Sequence, residues 1–149
     1  MNKNEKFRLI SNVKFELRDK NGKLKLEREL HNTTTNAAKY GLIDQILASP
    51  SLNKPGWIEL GTGTPGATLL GAYISESRTA FDTMTRNLNV VTMVVEFGAG
   101  VGTGSITEAG IFDIVTQNTA NMWAYATGFT AIPKAADDIL TVTWTFTLS

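Results

Sequence analysis

The chain has 149 residues, no cysteine, a single histidine, and 14 Lys/Arg balanced by 14 Asp/Glu. Thiol catalysis, disulfides and thiolate metal sites are therefore excluded, and the length suits one domain with one hydrophobic core. Thirteen glycines and 19% charged residues describe a globular chain leaning toward β, neither disordered nor collagen-like.

The charge divides unevenly. Residues 1–30 hold nine Lys/Arg against five Asp/Glu, and the remainder holds five against nine. Met1–Lys6 is charged with no apolar run behind it, and no stretch approaches the roughly 18 apolar residues of a membrane span. The expectation is a soluble chain without a secretory signal.

Residues 7–30 read as a hairpin. Val13, Phe15 and Leu17 alternate with Lys14, Glu16 and Arg18, and Leu24, Leu26 and Leu30 resume the pattern after Asn21-Gly22, a dipeptide that favours a type I′ turn. The polar run His31–Asn36 supplies oxygens able to cap a helix, and Ala38, Leu42, Ile43, Ile46 and Leu47 follow at helical spacing up to Ser49-Pro50; the spacing predicts one short amphipathic helix near residues 36–48. Gly41 inside it costs about 1 kcal/mol relative to alanine, which points to close packing there.

Trp57–Leu60 is a short strand followed by the Gly61–Gly66 loop. Leu69, Leu70, Tyr73 and Ile74 fit either a turn or two of helix or a surface loop. Met84–Phe97 reads as one long strand ending in the glycine-rich run Gly98–Gly104. Ile106–Ile114 and Met122–Phe129 form two more strands around the turn Thr116–Asn121. The last stretch is the clearest: Leu140, Val142, Trp144, Phe146 and Leu148 share one parity and four threonines the other, as in a strand with one buried face. About seven strands and one helix, with no strand–helix alternation, predict a mainly β, single-domain antiparallel β-sandwich over residues 1–149, jelly-roll-like, carrying a basic amino-terminal hairpin or arm at 1–30.

Motifs for chemistry are weak. Gly61-x-Gly63-x-x-Gly66 matches the dinucleotide string, but Pro65 removes an amide and no βαβ unit encloses it; Gly98–Gly104 lacks the lysine of a phosphate loop. His31 stands alone, so neither a triad nor a metal site is signalled. Glu96, Glu108 and Asp113 lie in strand regions where a carboxylate pair is conceivable, and Trp57, Tyr73, Trp123 and Tyr125 are candidates for a carbohydrate platform, with core packing the commoner use of such residues. The basic first segment lacks the clustering of a nucleic-acid surface. The expectation is a non-enzyme with no cofactor, no metal, no nucleic-acid partner and no membrane.

Three segments together resemble a group of small structural proteins and domains of tailed bacteriophages: His31–Asn36 before a small helix; Trp57-Ile58-Glu59-Leu60-Gly61-Thr62-Gly63-Thr64 with Arg78 downstream; and Thr107-Glu108-Ala109-Gly110-Ile111-Phe112-Asp113 leading to Trp144-Thr145-Phe146-Thr147. The likeness spans roughly residues 31–148. It implies a non-enzymatic β-sandwich that oligomerises on the virion, after synthesis in the host cytoplasm, as a capsid decoration (cement) protein or as a tail, collar, baseplate or fibre-attachment component. The implied partners are further copies in a trimer or ring and the major capsid protein or tail proteins.

Glu108-Ala109-Gly110 sets a carboxylate beside two minimal side chains. This suits close approach of another backbone and a charge pair with Arg78 or Arg86; alternatively Ala109 and Gly110 form a bulge. The charge split adds an assembly expectation: residues 1–12 dock on a neighbour through Lys3, Lys6, Phe7, Leu9 and Ile10, the apolar contacts supplying affinity and the charges orientation.

Overall fold

The computed structural model describes residues 6–149. In chain order the elements are β1 (Leu9–Arg18), β2 (Leu24–His31), β3 (Thr33–Thr34), α1 (Asn36–Asp44), β4 (Trp57–Gly61), β5 (Thr79–Ala80), β6 (Thr83–Asn87), β7 (Val90–Phe97), β8 (Gly104–Ile106), β9 (Glu108–Phe112), β10 (Met122–Ala126), β11 (Ile132–Lys134) and β12 (Ile139–Leu148). They build an antiparallel β-sandwich. One sheet runs β2-β1-β12-β7-β6, the other β3-β10-β9-β4-β5, and β8 pairs with β11 as a separate ribbon.

The core follows from parity. Val13, Phe15 and Leu17 of β1, Leu140, Val142, Trp144 and Phe146 of β12, and Met93, Val95 and Phe97 of β7 face inward from the first sheet; Ile58, Leu60, Ala109, Ile111, Ala124 and Ala126 meet them from the second. Each large apolar side chain so buried contributes roughly 1.5–3 kcal/mol. Parity also carries Ser11 inside, where its Oγ accepts the indole N–H of buried Trp144 at 2.7 Å, so the one polar atom of that ring is satisfied.

Several boundaries differ from the sequence reading. The hairpin loop is a four-residue turn closed by the Gly22 N–H donating to Asp19 O; only Gly22 takes positive φ (+83°), because the Asp19 carboxylate accepts the Asn21 and Lys23 amides and makes the turn itself. The stretch 84–97 is a hairpin, β6 and β7, that reverses at Leu88 with φ of +51°. No helix forms between residues 68 and 80. Residues 106–114 split at Thr107, where β8 leaves for the separate ribbon and β9 joins the second sheet.

The helix ends at Asp44, earlier than residue 48, because the Asp44 carboxylate accepts the Ser51 and Leu52 amides and the Ser51 hydroxyl and folds the chain back. Thr35 holds the N-cap position without capping; its hydroxyl reaches the Met122 and Trp123 carbonyls of β10 instead. Close packing at Gly41 is real: a Cβ there would enter the ring of Trp123. Only Ala38 and Gly41 of α1 are buried, so Tyr40, Ile43, Ile46 and Leu47 point to solvent.

Candidate functional site

The outward-facing residues of the second sheet carry the densest polar chemistry. Along β4 and β9 the residues alternating with the core are Trp57, Glu59, Gly61, Glu108, Gly110 and Phe112, and all but half-buried Trp57 are buried, because residues 62–78 fold over this face. Leu70, Phe112 and Met122 make a second small apolar cluster there, with Leu69 and Tyr125 beside it.

Glu108 is fully buried and holds the covering loop by its backbone. Its Oε1 accepts the Gly63 amide at 3.0 Å and the Ala72 amide at 2.7 Å, and its Oε2 accepts the Gly71 amide at 2.9 Å. Glycine is required for the approach: a Cβ on Gly61 would meet the Glu108 carboxylate, one on Gly63 the Ala72 amide nitrogen, and one on Gly71 the backbone of Thr64. Two of the amides that the Gly-x-Gly string could have offered a phosphate are thus satisfied internally: Gly63 binds Glu108 and Gly66 binds Leu69 O at 2.8 Å.

Arg78 pairs with Glu59, not Glu108. Its Nη2 donates to Glu59 Oε2 at 2.9 Å, with both side chains about 1% exposed. Register decides this: Trp57 pairs with Ala80 and Ile58 with Thr79, so the next step sets Arg78 beside Glu59, while Glu108 lies opposite Gly61. Arg78 also donates to the Ile114 and Thr116 carbonyls at 3.0 and 2.5 Å and lies over the Phe112 ring, 3.8 Å from its centroid. Gln117 completes the network, donating to Glu59 Oε1 and Ile74 O. Arg86, the other arginine considered, is exposed and donates to Leu88 O at 2.8 Å. The Ala109-Gly110 pair keeps regular register with β4; the irregularity falls on β10, between Met122 and Ala124.

Asp113 is buried with Oδ1 unpartnered. Burial pushes its carboxyl above the ordinary range, against the opposing pull of Arg78 and hydrogen bonding. It borders an open cleft with Asn53, Lys54, Trp57 and Val115. Trp123 is packed beneath the helix, out of reach for a platform, and Tyr73 is exposed on the covering loop. His31 is exposed, its Nδ1 against Asn12 Oδ1. Among the described residues no three His, Asp or Glu side chains converge as a metal site.

The assembly candidates divide. Lys3 lies outside the described residues; Lys6 and Phe7 are exposed, Phe7 by 84%. From Arg8 onward the segment is sheet rather than arm, since Arg8 and Ser149 exchange both backbone hydrogen bonds, at 2.6 and 2.9 Å. Ile10 sits on the outer face of the first sheet, and Leu9 packs against the core. Leu9 also borders an apolar groove of about 180 Å³ between α1 and the first sheet, with Leu42, Met84, Val91 and Phe146.

Glu59, Ser77 and Gln117 escaped the sequence reading. Ser77 bridges the Leu60 amide and carbonyl. The available signal was Glu59 itself, a carboxylate inside an otherwise apolar strand, which demands a partner when both sheet faces are covered.

Comparison with protein-family models, curated proteins and solved structures finds no match.

Proposed function

We propose that this protein is a non-enzymatic structural component of a bacteriophage virion, a capsid decoration (cement) protein that oligomerises and binds the major capsid protein. The observation that carries the reading is the Glu108 lock. The two most specific strings of the phage resemblance, Gly-Thr-Gly-Thr at 61–64 and Glu-Ala-Gly-Ile-Phe-Asp at 108–113, meet through the Glu108–Gly63 hydrogen bond. The carboxylates of Glu59 and Glu108 and the guanidinium of Arg78 are engaged within the layer, which favours a rigid fold element over a reactive centre. Virion location follows from the same resemblance.

The test is attachment of purified protein to undecorated phage capsids. Saturable binding at a fixed copy number per particle, with a raised thermal disruption temperature, is expected. Binding to isolated tails instead would move the protein to the runner-up position as a tail, collar, baseplate or fibre-attachment component, and binding to neither would overturn the proposal. A reading of another class, carbohydrate binding, has one observation in its favour, half-buried Trp57 in the cleft beside Asp113. It requires glycan-array binding that disappears in Trp57→Ala.

A further inference from the structure

The two sheets have four lateral edges: β2 and β6 in the first, β3 and β5 in the second. Folded proteins protect such edges, since unpaired strand backbone recruits other strands. Three of the four carry a recognisable device. β3 and β5 are two residues long each, and β2 carries Lys25, Glu27, Arg28 and Glu29 along its length. β6 has none of these. It is five residues long, with Arg86 its single charge, no proline, and an unbroken register against β7. Every residue from Asp82 to Asn89 is exposed, including Met84 at 51%. Met84 also borders the apolar groove, so an added strand would lay alternate side chains against that groove.

We infer that β6 is a docking edge and that its occupant is β6 of a second copy, paired antiparallel about a two-fold axis at Met84. The partner follows from self-complementarity. Strands in one sheet must align residues of the same face. With the axis at Met84, the groove side pairs Met84 with Met84 and, twice over, Asp82 with Arg86 of the second copy; the outer side pairs Thr83 with Thr85. Opposite charges and like-sized β-branched residues meet, and no like charges do. Moving the axis to Thr85 sets Met84 against Arg86 and forfeits both ion pairs. Within one chain Asp82, at the bend just before β6, accepts the Glu96 amide at Oδ2 (2.6 Å) and Arg86 Nη1 donates to Leu88 O (2.8 Å), so the pairs with the second copy would use the other Asp82 oxygen and the remaining Arg86 nitrogens. An isologous contact of this kind closes on itself as a dimer and joins two five-stranded sheets into one. A larger ring would need a further surface, such as the exposed apolar side of α1.

This inference deepens the oligomeric part of the proposed function without needing the virion. Crosslinking reads the strand pairing and capsid attachment reads the location, so either can fail alone. The chain has no cysteine, and a single introduced thiol is therefore an unambiguous probe. Directly opposed residues in an antiparallel pair have Cα atoms about 4.5–5.5 Å apart, within disulfide reach, whereas two copies of residue 85 would be offset to roughly 8 Å, beyond it. Met84→Cys is expected to form a disulfide-linked dimer on mild oxidation, and Thr85→Cys is not. In sedimentation velocity the wild type is expected to dimerise, and Met84→Lys, at a half-exposed position that tolerates lysine, to raise the dimer dissociation constant at least tenfold. The pairing is overturned if Met84→Cys stays monomeric, if Thr85→Cys crosslinks in preference, or if wild type and Met84→Lys sediment alike.

Discussion

Replacing Glu108 by alanine removes the acceptor of three buried amides at once, those of Gly63, Gly71 and Ala72. Hydrogen bonds to charged groups are worth about 1.5–3 kcal/mol each, and each buried amide left without a partner costs about 1–3 kcal/mol. Returning the carboxylate to water recovers several kcal/mol of desolvation, so the three bonds do not sum. The net loss expected for Glu108→Ala is about 3–5 kcal/mol, the range for breaking a buried charged contact. Against a typical total of about 5–15 kcal/mol this is severe, and Glu108→Gln is the more informative variant. The glutamine carbonyl can keep the Gly63 and Ala72 amides, while its NH₂ opposes the Gly71 N–H, so roughly half the loss is expected. Urea unfolding supplies the energies. Hydrogen exchange supplies the location, with Gly63, Gly71 and Ala72 accelerated in Glu108→Gln and the centre of β12 unchanged. A Glu108→Ala protein within 1 kcal/mol of wild type, or uniform acceleration across both sheets, would refute the lock.

Gly41→Ala should destabilise by about 1–3 kcal/mol, because overpacking against the buried Trp123 ring outweighs the gain of up to about 1 kcal/mol in helix propensity; a raised urea midpoint would contradict the packing. Arg78→Met alone strands the buried Glu59 carboxylate and should cost about 3–5 kcal/mol, while the double variant Glu59→Leu/Arg78→Met should recover a large part of it, as a double-mutant cycle would show. Asp113 has a raised folded pKa, so its ionised form opposes folding at neutral pH and ceases to do so as pH falls below the unfolded value near about 4. Asp113→Asn should therefore be at least as stable as wild type at pH 7, with any advantage shrinking toward pH 4. The opposite sign holds for Asp44, lowered chiefly by the Leu52 amide, and Asp138, lowered chiefly by Lys25; their contributions are present above the unfolded value and are lost as pH falls through the folded ones, which denaturation midpoints of Asp44→Asn and Asp138→Asn against pH would check.

The strands that could be read were those with one wet face. In β12 and β1 the alternation of apolar and polar residues survives intact, so Trp144, Phe146, Val13 and Phe15 fell on the core side by counting alone. The β6–β7 reversal was missed because it uses Leu88-Asn89, where the usual glycine signal is absent and tertiary pairing imposes the positive φ. The helix was found by its apolar spacing, yet that spacing pointed to the wrong face. Ala38 and Gly41 are the residues small enough to let the helix settle on Trp123, and a stripe of small side chains weighs little in a hydrophobicity pattern. The larger Ile43, Ile46 and Leu47 were left outside.

The same limit governs the candidate site. Period two tells which residues share a face of β4 and β9, but not that residues 62–78 cover that face, so Glu59 and Glu108 could not be distinguished from solvated carboxylates. Once the cover is present, an ionised group in each strand is tolerable only if it is satisfied within the layer. The geometry then assigns the partners: the guanidinium of Arg78, just before β5, can reach across to Glu59, whereas Glu108, facing a loop of glycines, can be approached closely enough by bare backbone to bind three amides. The glycines that look like flexible punctuation at 61, 63 and 71 therefore have the opposite consequence. By omitting side chains they let a carboxylate hold the loop, and a single methyl group at Gly61 would push that carboxylate away from its donors.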